Sequence, residues 1–113
     1  MKLLTVDIVK KLNRNHIKNH PAKGEAGSHD LEPVVKFFDP FGSATWLITE
    51  MDNDGMCFGL CDLGQGFPEL GYVHMNDLGS LPNNRIERDA WFTADKTISE
   101  YAKKARAERR ITA

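Results

Sequence analysis

The side chains best suited to chemistry in this sequence are carboxylates inside β-prone or extended segments. Glu50, Glu69 and Asp89 are the candidates for catalysis. Two carboxylates that converge on one side of a sheet can bind a divalent metal or act as acid and base. The alternative is structural, with Glu50 or Glu69 in an ion pair that fixes strand register. Its partner would be Lys36 or Arg88, and we favour this interpretation because a satisfied ion pair needs no cavity.

Histidine and cysteine spacing raises the question of a metal site. His16 and His20 are four residues apart, as on a zinc-binding helix, and His29 with the two cysteines could complete the ligand set. The stretch around them is polar and irregular, and no second pair has metal-ligand spacing. We therefore expect a solvent loop, with neither metal nor cofactor.

The two cysteines are expected to be thiols. On one strand, Cys57 and Cys61 would have Cα atoms roughly 13 Å apart, whereas a disulfide requires less than about 7 Å. Unpaired cysteines indicate a reducing compartment, so the sequence predicts a cytoplasmic protein. Neither cysteine has a neighbouring histidine in sequence, so no nucleophile is indicated.

The elements that must position these residues form a sheet. β-branched and aromatic runs, separated by turn-forming segments, predict four strands in succession. Asp54-Gly55 between two of them is a hairpin signal. The predicted strands are Val34–Phe38, Ala44–Met51, Met56–Asp62 and Glu69–Met75.

Alternation along the strands predicts two mixed faces. Trp46, Ile48 and Glu50 should share one face with Cys57, Gly59 and Cys61. The other face should carry Leu47, Thr49, Met51, Met56, Phe58 and Leu60. Neither face is cleanly polar, so we expect partial cover on both sides.

Helical patterns flank the sheet. Apolar spacing predicts a helix at 5–13 with Thr5 as its N-cap, followed by a flexible loop at 16–30. Thr97 or Ser99 caps a basic C-terminal helix over 97–113, whose end should fray. Ile86–Phe92 is a fifth strand or an extended return to the sheet. The prediction is one α+β domain over 1–113, a bent, mainly antiparallel sheet of four to five strands with helices packed on it.

Charge is unevenly distributed along the 113 residues. Net charge is +4 over residues 1–20, −8 over 21–84 and +3 over 85–113. The simplest explanation is that basic helices neutralise an acidic sheet. The sharper one is a phosphate-binding patch made by Lys103, Lys104, Arg106, Arg109 and Arg110. No apolar run reaches the length of about 20 residues that a membrane helix needs, and the start is too soon polar for a signal peptide.

Six short motifs occur in an order that resembles a known bacterial family. They are Met1–Thr5, Val35–Phe38, Thr45-Trp46 with Thr49-Glu50, Phe58–Leu60, Glu69–Tyr72 and Ile86–Asp89. The chain resembles the domain-of-unknown-function family 2958, seen mostly on plasmids, phages and other mobile elements. The resemblance implies a small cytoplasmic accessory protein of mobile DNA and supplies no activity, cofactor or catalytic residue.

Three functional hypotheses follow. The first is a non-enzymatic interaction module that binds a host or element-encoded protein. Its contact face would be built from acidic turns and turn aromatics: Asp39, Phe41, Asp52, Asp54, Phe67 and, among the acidic loops, Asp62. The second is a nucleic-acid-binding accessory that uses the basic helix. The third is a small metal-dependent enzyme centred on Glu50 and Glu69.

Overall fold

The computed structural model describes residues 3–19, 30–79 and 85–113. His20, His29 and most of the predicted loop lie outside this part of the chain. The elements are helices α1 (Val6–Asn19), α2 (Met75–Gly79) and α3 (Ile98–Glu108), and strands β1 (Val35–Phe38), β2 (Thr45–Met51), β3 (Met56–Asp62), β4 (Glu69–His74) and β5 (Glu87–Arg88). The predicted α+β class is confirmed.

The strands form one antiparallel sheet in the order β4-β3-β2-β1-β5. The first four are a meander of hairpins, as the turn residues predict. The predicted fifth strand pairs with β1 over Glu87–Arg88 alone. Among the strands of the described ranges, β4 therefore forms one edge of the sheet and β5 the other.

A separate core covers each face of the sheet. On one side, Leu12 of α1 packs with Trp46, Ile48 and Phe37. On the other side, α3 packs on the sheet through a second set of buried side chains: Leu47, Leu60, Ile98, Tyr101, Ala102 and Ala105. The expected cover on both faces is confirmed, and it explains why neither face reads as polar in the sequence.

A β-bulge at Thr49 changes the predicted faces. Ile48 pairs with Gly59, but the next partner of β3, Phe58, lies opposite Glu50. Met51 consequently joins the α1-side core with Trp46 and Ile48. The predicted faces are therefore wrong for Glu50 and Met51, which lie opposite Phe58 and Cys57, because one extra residue reverses the alternation after the bulge.

Helix α1 is longer than predicted. The Thr5 hydroxyl accepts the Ile8 N–H at 3.2 Å, which confirms the N-cap. The helix then continues through Asn19, six residues beyond the predicted end. Asn13 and Asn15 donate side-chain amides to the Met51 and Thr49 carbonyls at 2.8 and 2.9 Å. These carbonyls belong to the part of β2 beyond its last β1 partner, so tertiary hydrogen bonds hold the second half of the helix.

The C-terminal segment leaves the helix and returns to the sheet. Helix α3 ends at Glu108, and Arg109 closes it in the left-handed conformation with φ 62°. The Ile111 N–H then donates to the buried Asp62 carboxylate at 2.9 Å. The basic helix predicted over 97–113 is therefore a shorter helix and a tail that returns to the sheet.

Candidate functional site

The predicted catalytic carboxylate Glu50 is buried at the junction of β2 and α1. Its side chain is 1% exposed, and Asn19 Nδ2 donates to Glu50 Oε2 at 3.0 Å. His16 Nδ1 lies 3.5 Å from Glu50 Oε1. Both partners occupy the last turn of α1, which the sequence assigned to a loop. Glu50 thus ties the end of the helix to the bulged strand.

The other two candidate carboxylates lie elsewhere. Glu69 begins the edge strand β4 and is exposed. Its β3 partner is Cys61, three residues from the Glu50 partner Phe58. Three residues along a strand and two strand spacings separate the two Cα atoms by roughly 14 Å. Asp89 follows β5 and accepts the Trp91 N–H in a turn. The three do not converge on one site.

The register-fixing ion pairs predicted for Glu50 and Glu69 are wrong in their partners. Lys36 lies 3.6 Å from Asp89 and donates to the Ala113 carbonyl at 2.6 Å. Arg88 pairs in register with Phe37, on the α1 side of β1. Glu50 does have structural contacts, but they come from His16 and Asn19 of α1 and join a helix to β2, whereas the predicted ion pair with Lys36 or Arg88 would have fixed strand register.

Burial makes the two cysteines poor nucleophiles. Both are free thiols on β3, with Cys57 fully buried in the α1-side core. Burial raises the pKa of Cys57 to about 12, with further contributions from Asp52 and Cys61, and raises that of Cys61 to about 11. Since the thiolate is the reactive form, neither is activated.

No group of three or more histidine, cysteine or acidic residues that could hold a metal occurs among residues 3–19, 30–79 and 85–113. His16, one half of the predicted pair, is directed to Glu50. His20 and His29 fall outside these ranges.

The predicted acidic contact face is divided between the two ends of the sheet. Asp39 and Asp62 lie at the end formed by the β1–β2 and β3–β4 turns, whereas Asp52 and Asp54 lie in the β2–β3 hairpin at the other end. Asp39 accepts hydrogen bonds from Arg85 and the Phe41 N–H, and the Arg85 bond lowers the pKa of Asp39.

The hairpin aspartates and Asp62 also have structural partners. Asp52 accepts the Met56 and Asp54 N–H groups, and the Met56 bond lowers the pKa of Asp52. Asp62 is 2% exposed and accepts the Gly64 and Ile111 N–H groups. Three of these four carboxylates thus shape turns or the tail, and Asp54 is the exposed one.

The two turn aromatics are on the surface and on adjacent turns. Phe41 is 81% exposed and Phe67 is 73% exposed. Their turns touch, because a Cβ built on Gly64 would lie 2.1 Å from Ser43 Oγ. Leu63, 62% exposed, lies in the second turn. We call Phe41, Leu63 and Phe67 the turn-end surface.

Two cavities extend from Phe67. One, of about 290 Å³, is lined by Phe67 and Glu69 together with Arg106 of α3 and Arg109, the residue that caps this helix. The other, of about 300 Å³, runs along β4 and is lined by Leu63, Phe67, Leu70 and Tyr72 among others. The sequence did not predict that Leu63, Leu70 and Tyr72 belong to this surface. The exposure of Leu70 and Tyr72 follows from the place of β4 at the edge of the described sheet, and sequence alone does not reveal the order of strands in a sheet.

The five cations of the predicted phosphate-binding patch are all exposed. They do not form one stripe. Lys104 lines a cavity with Trp91 and Tyr101 on one flank of α3, while Arg106 and Arg109 line the cavity at Phe67 on the other. Lys103 lies between these flanks on the outer side. Nucleic-acid binding by this helix stays a prediction.

The comparisons with known proteins gave one finding. The family model described as protein of unknown function (DUF2958) matches residues 3–112. Neither the curated proteins nor the solved structures gave a match. Across the described ranges, no helix is long and apolar enough to cross a membrane.

Proposed function

The chain belongs to the DUF2958 family, and from this premise we propose that it is a non-enzymatic protein-interaction module. The observation that carries the proposal is the turn-end surface. Three large apolar side chains on two touching turns expose between 62% and 81% of their surface. Scattered exposed apolar residues are ordinary, but a cluster on adjacent turns is typical of an interface.

The charge beside the surface indicates the chemistry of the partner. Arg106 and Arg109 line the same cavity as Phe67. Arginines next to an exposed ring favour a partner segment in which apolar side chains are flanked by carboxylates. For the contact face we therefore propose this apolar surface and its basic flank, while a role for the acidic turns stays a prediction.

The setting of the interaction follows from the resemblance stated above. We expect the partner to be a cytoplasmic host protein or one encoded by the same mobile element. Two cysteines held as thiols agree with a reducing compartment. The enzyme hypothesis has less support, since Glu50 is tied to α1 and Glu69 lies on another part of the sheet.

Site-specific photo-crosslinking in the host tests the proposal. A photoreactive phenylalanine analogue replaces Phe41 or Phe67 in turn, and the same analogue at Trp91 is the control. Trp91 is 93% exposed but lies in the turn after β5. We expect one stoichiometric adduct from the two turn positions and none from position 91. The adduct should weaken in an Arg106→Glu, Arg109→Glu background, because the expected partner is acidic.

Two results would contradict the proposal. One is the absence of an adduct specific to positions 41 and 67. The other is loss of binding in Glu50→Gln protein of normal stability, since that would assign function to the carboxylate instead.

A further inference from the structure

Helix α1 presents a row of cations to solvent. Lys10, Lys11, Arg14 and Lys18 are all exposed, whereas Leu12 is fully buried against the sheet. At about 100° per residue, the four cations lie within an arc of about 100° on the side of the helix away from Leu12. Lys10, Arg14 and Lys18 are four residues apart, so they follow one row along the helix for about 12 Å.

The fold does not neutralise these four cations. In the part of the chain that the structure describes, no ion pair joins any of their side chains to a carboxylate. The lysines and the arginine that do form ion pairs there, Lys36, Lys96 and Arg85, lie outside α1. Asp7, in the first turn, is the only acidic residue of α1. Neutralisation of an acidic sheet by basic helices therefore does not account for this face.

The rest of the face suits neither the centre of a protein interface nor a membrane. Its two apolar side chains, Val6 and Ile17, are 70% and 74% exposed, but they are roughly 16 Å apart along the helix and form no contiguous patch. Three of the four cations are lysines, which are depleted from protein interfaces. Ile8 and Val9, which a membrane-surface helix would insert into lipid, pack against the core beneath α1.

The other side chains of α1 indicate a duplex that is contacted through its backbone alone. The helix has no Phe, Tyr or Trp on which an unpaired base could stack. Asn13 and Asn15, whose amides could read base edges, donate to carbonyls of β2, and Asn19 donates to Glu50. From Lys10 onward, the exposed polar groups are those of Lys and Arg, which only donate and which bind phosphate oxygens.

We propose that the outward face of α1, defined by Lys10, Lys11, Arg14 and Lys18, binds the phosphate backbone of duplex DNA without sequence preference. One strand of a duplex presents one phosphate per roughly 3.4 Å of helix axis, so about 12 Å covers three to four phosphates, close to the number of cations. The whole chain has a net charge of −1, so the contact depends on this face and not on the charge of the molecule. Four phosphate contacts predict a loss of affinity of about 150-fold between about 50 and 200 mM salt, because binding releases counterions.

Fluorescence anisotropy of a labelled DNA duplex of arbitrary sequence, measured over that salt range, tests the proposal. The α1 variant carries Lys10→Gln and Arg14→Gln, and the matched control carries Lys103→Gln and Arg106→Gln on α3. Each loses one exposed Lys and one exposed Arg, so the net charge changes equally. The α1 variant should lower the slope of log affinity against log salt by about 2, which leaves a loss of only about 12-fold over the range. The control should keep the slope and the affinity of the unchanged chain.

Several results would overturn the proposal. They are absence of binding by the unchanged chain at about 50 mM salt, equal slopes for the two variants, and a lower slope for the α3 control alone. Circular dichroism should show that both variants are folded. If the α1 variant does not fold, Lys11→Gln with Lys18→Gln replaces it, with the same expected change in slope.

Three further probes exclude other occupants of the face. Single-stranded DNA should bind more weakly than the duplex, and a duplex RNA should bind no more tightly than the DNA. Vesicles that contain phosphatidylserine should not bind the chain. The opposite result with any of these probes would assign the face to that ligand and overturn the proposal.

Failure of this proposal is distinguishable from failure of the proposed function. Helix α1 contacts β2 at Thr49 and Met51, near the β2–β3 hairpin, whereas the turn-end surface lies at the other end of β2. The Lys10→Gln, Arg14→Gln variant should therefore give the same photo-crosslinking at positions 41 and 67 as the unchanged chain. Loss of DNA binding with the crosslink retained would separate the two surfaces.

Discussion

Glu50 shows how a single residue can look catalytic in sequence and act structurally in the fold. A carboxylate with 1% exposure must have compensating partners, because an uncompensated buried charge is costly. Asn19 and His16 supply them from α1. The consequence is that the helix end and the strand bulge depend on each other through one side chain.

Replacing Glu50 should therefore reduce stability. Glu50→Gln keeps the shape but removes the charge that faces His16, and we expect a loss of about 1–3 kcal/mol in the free energy of unfolding. Urea denaturation followed by circular dichroism measures it. The matched control is Glu69→Gln, an exposed carboxylate on β4, which should change stability by less than about 0.5 kcal/mol. Equal midpoints for the two variants would show that the Glu50 contacts carry no stability.

At the scale of the element, the β2–β3 hairpin depends on one glycine. Strand β2 approaches β3 so closely beside the bulge that a Cβ on Gly59 would lie 2.0 Å from the Leu47 carbonyl oxygen. The Thr49 hydroxyl donates to the Phe58 carbonyl at 3.2 Å on the same stretch. The bulge and the glycine therefore belong to one local geometry.

Gly59→Ala should separate the two strands and lower stability by roughly 2–4 kcal/mol, since backbone atoms cannot move aside as a flexible side chain can. Gly71→Ala is the matched control, because Gly71 is the β4 partner of Gly59 and its added Cβ meets nothing within 4 Å. Thermal unfolding of both variants measures the difference. A Gly59→Ala protein as stable as Gly71→Ala would contradict the close approach.

The N-terminus of α3 depends on two carboxylates. The Thr97 N–H donates to Glu100 Oε1 at 2.9 Å, and this bond lowers the pKa of Glu100 below its ordinary value of 4.5. Burial raises the pKa of Asp30, but hydrogen bonds from Ser99 outweigh it and the net pKa is lowered from 3.8. Glu100 thus closes the start of α3 on its own cap, whereas Asp30 joins the helix to the segment before β1.

Folding lowers the pKa values of both Asp30 and Glu100. The two carboxylates therefore stabilise the fold fully at pH values above their ordinary pKa, and this stabilisation is lost as the pH falls through the lowered pKa values. Glu100→Gln should therefore destabilise the protein at about pH 7, and the gap from the unchanged chain should narrow by about pH 3. Urea midpoints at the two pH values measure the gap. Glu108→Gln controls for loss of a charge at the other end of α3. A gap that widens on acidification would refute the assignment.

At the scale of the whole molecule, residues 111–113 return from α3 to the sheet and bind to β3 and β1. The Ile111 N–H bonds the buried Asp62, and Lys36 bonds the Ala113 carbonyl. Ala105, in the middle of α3, is 1% exposed. Deleting the basic end to test nucleic-acid binding would therefore remove part of the core together with the cations.

Deleting residues 111–113 should lower the free energy of unfolding by about 1–3 kcal/mol, because the buried Asp62 carboxylate loses the hydrogen bond that the Ile111 N–H donates. Substituting Lys103 and Arg106 with Gln should change stability by less than about 0.5 kcal/mol, because both side chains are exposed. Urea denaturation of the two proteins provides the comparison. The substituted protein is also the one to use for DNA binding over a salt series, where an unchanged salt slope would exclude these cations from phosphate contact.

Local signals in the sequence were sufficient for the strands. Turn residues such as Asp54-Gly55 and runs such as Thr45–Met51 depend on conformational preferences of neighbouring residues, so they predict hairpins without further information. The Thr5 and Thr97 caps and the apolar inner face of α3 are local in the same sense. The family resemblance also depended on sequence alone, and the match over residues 3–112 confirms it.

Contacts between distant residues decided the rest. The extension of α1 to Asn19 and the partners of Glu50 depend on contacts between residues about 30 or more positions apart. The bulge at Thr49 depends on how β2 packs beside β3. Which turns touch, and which strand is left at the edge, likewise follows from the order of the strands in space. Sequence by itself therefore determined the helices and strands. The tertiary structure determined which side chains are buried in structural contacts and which are exposed for a partner, because the burial of a side chain depends on which distant segments pack against it.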